Sequence, residues 1–89
     1  MADLPSRVII RDHAFEDELR LLIPDAERAD EYTAAAETIL AQDPTVGLKR
    51  ETDEEAVWVL PMSPINEKSI YLLYTFDAAE VILLGLRVL

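Results

Sequence analysis

Ser69 to Leu89 reads SIYLLYTFDAAEVILLGLRVL: two runs of branched and aromatic residues on either side of Asp77-Ala78-Ala79. Runs of this composition and length form strands, and so short a break joins them as a hairpin, so Ser69–Phe76 and Glu80–Leu89 are expected to pair antiparallel. Side chains alternate across a strand. In the first run Ile70, Leu72, Tyr74 and Phe76 share one face, and Tyr71 and Leu73 the other. In the second, Val81, Leu83 and Gly85 oppose Ile82, Leu84, Leu86 and Val88. Both faces are therefore apolar, whereas a sheet with one face in water alternates apolar and polar.

Upstream, Ala56 to Met62 (AVWVLPM) reads as a third strand, with Pro61 marking an edge or a bulge because it cannot donate to a ladder. Ser63 to Lys68 reads as a loop. So does the polar stretch from Thr45 to Glu55, which holds Gly47, Lys49, Arg50 and the acidic group Glu51, Asp53, Glu54 and Glu55. Before it the period changes to that of a helix. Phe15, Leu19 and Leu22 repeat at i, i+4 and i+7 between His13 and Ile23, behind a candidate cap at Asp12. Pro24-Asp25 starts a second helix that runs to Gln42, with Ala29, Tyr32, Ala36, Ile39 and Leu40 as its stripe; Asp43-Pro44 stops it. Arg7 to Ile10 is a short β-branched strand leading into the first helix. The order is βααβββ, an α+β domain in which a helical hairpin packs on one face of a mainly antiparallel sheet.

With 89 residues, the chain (1–89) has room for a single core and a single domain. At 51% hydrophobic and 29% charged residues it has the apolar material to fold. There is no Cys, which removes disulfides, thiolate metal sites and cysteine nucleophiles and fits a cytoplasmic location. No apolar run approaches the roughly 20 residues of a membrane span, and the N-terminus lacks the pattern of an export signal. Eighteen Asp plus Glu against eight Lys plus Arg give a net charge of -10, which repels polyanions. Direct nucleic-acid binding is not expected.

Chemistry is sparse. The single His, His13, sits at a helix start, where local hydrogen bonding is its common role, and it has no companion ligands for a metal. Glu16, Asp17 and Glu18 radiate around the helix and read as a solvated face. No phosphate loop, catalytic triad or metal-ligand spacing occurs, so no cofactor is expected. Lys49, Arg50 and Arg87 are the candidate anion or target contacts. Two short helices shield one side of a sheet, so the second apolar face marks an interaction surface, with Tyr71, Leu73, Ile82 and Leu84 as candidate interface residues. The competing cover for that face is the loop from Thr45 to Glu55, or the N-terminus.

The βααβββ order, with SIYLLYTFD (69–77) as penultimate strand and EVILLGLRVL (80–89) as final strand, resembles the RelE/ParE superfamily of bacterial toxins from toxin-antitoxin systems. The likeness covers most of the chain as a pattern of hydrophobic strands. In the mRNA-cleaving branch a basic residue commonly follows the aromatic residue that opens the penultimate strand, and this chain has Ile70-Tyr71 there. Many members also carry a His or basic tail past the last strand, where this chain has Arg87, Val88 and Leu89. Arg87, with Lys49 and Arg50, is left to stand in for the family's basic positions. The resemblance thus implies a non-enzymatic protein nearer the ParE-like branch, which binds DNA gyrase. It would be a toxin held by an antitoxin, or a degenerate relative. The alternatives are an acidic phage-type inhibitor that mimics nucleic acid and, third, a minimal ribonuclease.

The acidic balance predicts weak or no binding to duplex DNA at physiological salt. A salt-sensitive submicromolar affinity in a fluorescence anisotropy titration would contradict it.

Overall fold

The computed structural model describes residues 6–50 and 56–89. The elements are β1 (Val8–Arg11), α1 (His13–Leu22), α2 (Ala26–Gln42), a 3-10 turn (Pro44–Val46), β2 (Leu48–Arg50), β3 (Val57–Ile65), β4 (Lys68–Phe76) and β5 (Glu80–Val88). Five strands form one sheet in the order β1-β5-β4-β3-β2; β1 runs parallel to β5 and the other pairs are antiparallel. The expected α+β class holds, with one strand more than βααβββ provides. Leu48–Arg50, read as loop, pairs with Val57–Val59 and extends the sheet edge. The acidic tail of that loop, Glu51 to Glu55, lies outside the described residues.

Local chemistry explains the element ends. The Asp12 carboxylate accepts from the Ala14 N–H at 3.2 Å and Asp25 accepts from Glu27 at 3.0 Å, so each helix opens on a side-chain cap. Asp43 closes α2 through its N–H to the Ile39 carbonyl, and its carboxylate accepts from the Thr45 hydroxyl and N–H. Those bonds hold the Asp43 carboxyl below the usual carboxylate range; the N–H groups of Ala79 and Glu80 do the same for Asp77 in the β4–β5 turn. Because both are depressed in the folded chain, their stabilisation is present above the ordinary carboxylate pKa and is lost as pH falls through the folded values. Ser63–Lys68, read as loop, is mostly strand. Asn66 (φ 51°) and Glu67 (φ 66°) form a two-residue hairpin turn between β3 and β4. Pro61 pairs with Tyr71 beyond the reach of β2, so it sits where β3 has no outer neighbour to want its missing N–H.

The core lies between the helices and one sheet face. Phe15 and Leu19 of α1 and Ala29, Ala36 and Leu40 of α2 pack with Ile70, Leu72, Tyr74, Val81, Leu83 and Leu86. Thr33 takes the buried place in α2, donating to the Ala29 carbonyl and accepting from Arg11, while Ile39 of the expected stripe is 47% exposed. Arg11 bridges β1 to α2 through two hydrogen bonds to Glu37 (2.8 and 3.1 Å), which raise its already high pKa.

Registry within β5 differs from simple alternation. Leu73 pairs with Gly85 and Tyr74 with Leu83, leaving Leu84 as the extra residue of a bulge. The bulge shifts the phase by one, so Leu86 and Val88 share the helix-side face with Val81 and Leu83 instead of opposing them. Tyr74 anchors the far side: its buried hydroxyl donates to the Pro44 carbonyl at 2.5 Å and accepts from the Gly47 N–H at 3.2 Å. Burial raises its pKa. A Cβ at Gly47 would meet the Val59 carbonyl oxygen at 2.7 Å, so only glycine fits against β3 there.

Tyr74→Phe leaves the Gly47 N–H and the Pro44 carbonyl without their partner. It is expected to destabilise the domain by about 1–3 kcal/mol in urea unfolding, without changing the fold.

Candidate interaction surface

Pairing in the ladder fixes which residues look away from the helices. Since Leu72, Tyr74 and Leu83 are fully buried on the helix side, Tyr71, Leu73 and Thr75 of β4 and Ile82 of β5 face outward. Leu84, in the bulge opposite Leu73, joins them. The neighbours continue the face: Val57, Val59 and Pro61 on β3, Leu48 on β2, and Val8 and Ile10 on β1. All four residues expected at a partner interface, Tyr71, Leu73, Ile82 and Leu84, thus lie on one half-buried surface. Among the described residues no helix lies on that side. Of the loop expected to fold over it, Thr45 to Arg50 instead runs along the sheet edge as the 3-10 turn and β2, while Glu51 to Glu55, and residues 1–5 of the N-terminus, the other expected cover, lie outside the described residues.

The three candidate cations divide. Arg50 is outward-facing on β2, and Arg87 pairs directly with Tyr71. Arg50, Val59, Tyr71, Arg87 and Leu89 line a shallow depression of about 280 Å³. Lys49 pairs with Trp58, whose ring packs 5.3 Å from Phe76 in the partly buried rim of the core, so Lys49 belongs to the helix side and not to this surface. A larger groove of about 610 Å³ lies at the helix elbow, between Leu22–Asp25 and Ser63–Asn66. It is crossed by the hydrogen bond from the Tyr32 hydroxyl to the Ser63 carbonyl.

Glu18, read from the sequence as part of a solvated face, reaches the sheet. Its Oε1 accepts from the Leu86 N–H at 3.2 Å, and its Oε2 accepts from Arg87 Nη1 at 3.2 Å. The bulge and the end of β1 at Arg11 leave that N–H unpaired in the ladder, and a carboxylate from α1 satisfies it. Gly85 makes room, since a Cβ there would sit 2.6 Å from Glu18 Oε1. His13 is solvent-exposed, 3.5 Å from Asp17 one turn along α1. Among the described residues no group of three or more His, Cys, Asp or Glu is placed to hold a metal ion. No helix among them is long and apolar enough to cross a membrane.

Charge is segregated by layer. Counting residues along the elements, α1 and α2 hold seven carboxylates and two arginines, while the five strands hold five Lys or Arg and one carboxylate, Glu80. The surplus of acid among these elements is therefore on the helices, and the described outward sheet face is apolar, with Arg50, Arg87 and Glu80 as its charged residues. No protein-family profile, curated protein or solved structure matches the chain.

Leu72 and Leu73 are neighbours on opposite faces, which makes them a matched pair of probes. Leu72→Glu buries an unpaired carboxylate and is expected to unfold the domain by circular dichroism. Leu73→Glu is expected to keep the native spectrum and abolish partner binding.

Proposed function

We propose that this chain is a RelE/ParE-like toxin-family protein that works by binding another protein through the outward face of its sheet, held there by an antitoxin-type partner or by a copy of itself, and that it does not cleave RNA. The observation that carries the reading is the contiguous apolar surface around Tyr71, Leu73, Ile82 and Leu84. Apolar surface returns roughly 25 cal/mol per Å² when it is removed from water, so a face left this apolar is suited to association.

Catalysis at phosphate needs placed positive charge and a general acid and base. On the outward face the positive charge comes from Arg50 and Arg87, and Arg87 is already engaged by Glu18. Ile70 points into the core and Tyr71 outward, so the position where the cleaving branch commonly has a cation is here an apolar core residue beside a phenol.

The acidic inhibitor stands as a second reading because of the charge segregation: of seven helical carboxylates, those other than Glu37, paired with Arg11, and Glu18, turned to β5, present a negative layer that a basic groove would accept. Competition with DNA for a basic protein, preserved in Leu73→Glu, would favour it.

Copurification from the native host is expected to recover a protein partner that Leu73→Glu loses. Messenger RNA on translating ribosomes is expected to stay intact. Cleavage that disappears on Arg87→Ala would overturn the proposal.

A further inference from the structure

The outward face has a pattern that matches itself when turned over, and this carries the binding reading one step further to the identity of a partner. We propose that its occupant is a second copy of this chain, stacked face to face about a twofold axis lying between the two sheets and running across the strands. The inference rests on the reading of this face as an interface.

Residues along β5 supply the first argument. Its outward positions are Glu80, Ile82, Leu84 and Arg87: an acid at one end, a base at the other and two aliphatic residues between. A twofold axis across the strands reverses β5 and lays it on its own copy. Ile82 then meets the partner's Leu84, and Glu80 projects toward the partner's Arg87. Symmetry makes each contact twice, as an isologous interface requires. Among the described residues Glu18 and the Leu86 carbonyl engage Nη1 of Arg87, so its other N–H donors point to a second carboxylate as their partner.

The middle of the sheet gives the second argument. Trp58, Tyr74 and Leu83 are in register across β3, β4 and β5. The proposed axis follows this row, midway between Ile82 and Leu84, so on the outward face Val59 meets the partner's Val57 and Leu73 meets the partner's Thr75. Sheets stacked in this way lie about 10 Å apart with strand directions within about 30°.

Shape and charge agree with it. The domain is a slab of 40 × 35 × 22 Å, and its broad side exceeds the roughly 800 Å² per partner of a standard interface. Stacking sheet on sheet puts both carboxylate-rich helical layers on the outside. Two sheets then separate them, more than the Debye length of about 8 Å at physiological salt.

The test is sedimentation velocity on the full chain and three variants, each checked for native circular dichroism. Wild type is expected to be a dimer and Leu73→Glu a folded monomer. Glu80→Arg sets a second guanidinium against the partner's Arg87, and Arg87→Glu sets two carboxylates together, so each alone is expected to weaken the dimer by about tenfold or more. Mixed one to one, the two variants regain both opposite-charge contacts and are expected to form a heterodimer of near wild-type stability. A dimer that survives Leu73→Glu, or a mixture no tighter than its components, would overturn the proposal. A monomeric wild type would overturn it as well. In that case a host protein captured by wild type and lost in Leu73→Glu would leave the outward face as an interface for a different partner, and its absence would remove both readings.

Discussion

The extra residue in β5 decides what both sides of this sheet can do. A continuous strand from Glu80 to Val88 would divide its aliphatic residues between the faces in the wrong phase, sending Leu86 outward from the core. The bulge at Leu84 resets the alternation, so Val81, Leu83 and Leu86 all reach the helices. The ladder is disrupted where the bulge occurs, and the Leu86 N–H turns to Glu18 of α1. One carboxylate therefore joins the helical layer to the strand whose irregularity created the need. Gly85 is the residue that lets it approach.

The same device gives the outward face its character. By turning Leu86 inward and Arg87 outward, beside Ile82, Leu84, Tyr71 and Leu73, it leaves the described part of that face with an aliphatic centre and charge toward the ends of β5. The acidic surplus of the described elements is on the opposite layer. In a protein of net charge -10, the described part of the outward sheet face is thus apolar, with Arg50, Arg87 and Glu80 as its charged residues.

Much of the fold was legible because its signals are local. Asp12 and Asp25 cap helices in the way their spacing announces, and the run from Ser69 to Leu89 forms the expected hairpin, closed by the Asp77 carboxylate. Other parts depend on tertiary pairing that no local pattern carries. Leu48-Lys49-Arg50 is three exposed residues without alternation, and it is a strand only because β3 lies beside it. The β3–β4 turn was hidden because Glu67, where glycine is the usual signal, takes a left-handed conformation. That Tyr71, Leu73, Ile82 and Leu84 form an apolar set apart from the core was readable from two-sided alternation, whereas the division of Lys49 from Arg50 and Arg87 needed the register. Glu18 was missed because its partner is a backbone N–H 68 residues away, exposed by a bulge for which Gly85 was the sole hint. Thr33 in place of Ile39 follows from Arg11, whose hydrogen bond rewards a hydroxyl at that point of α2.

The central claim is that the outward face is covered in solution. Methyl-resolved NMR with a soluble paramagnetic probe addresses it directly, with the 84% exposed Leu21 on α1 as the internal standard for an uncovered residue. In concentrated wild-type protein the methyls of Leu73, Ile82 and Leu84 should stay sharp while Leu21 is broadened, and they should lose that protection in Leu73→Glu at Ile82 and Leu84. Broadening of Ile82 and Leu84 in wild type as strong as in that variant, at every concentration and with copurified partner present, would contradict the account.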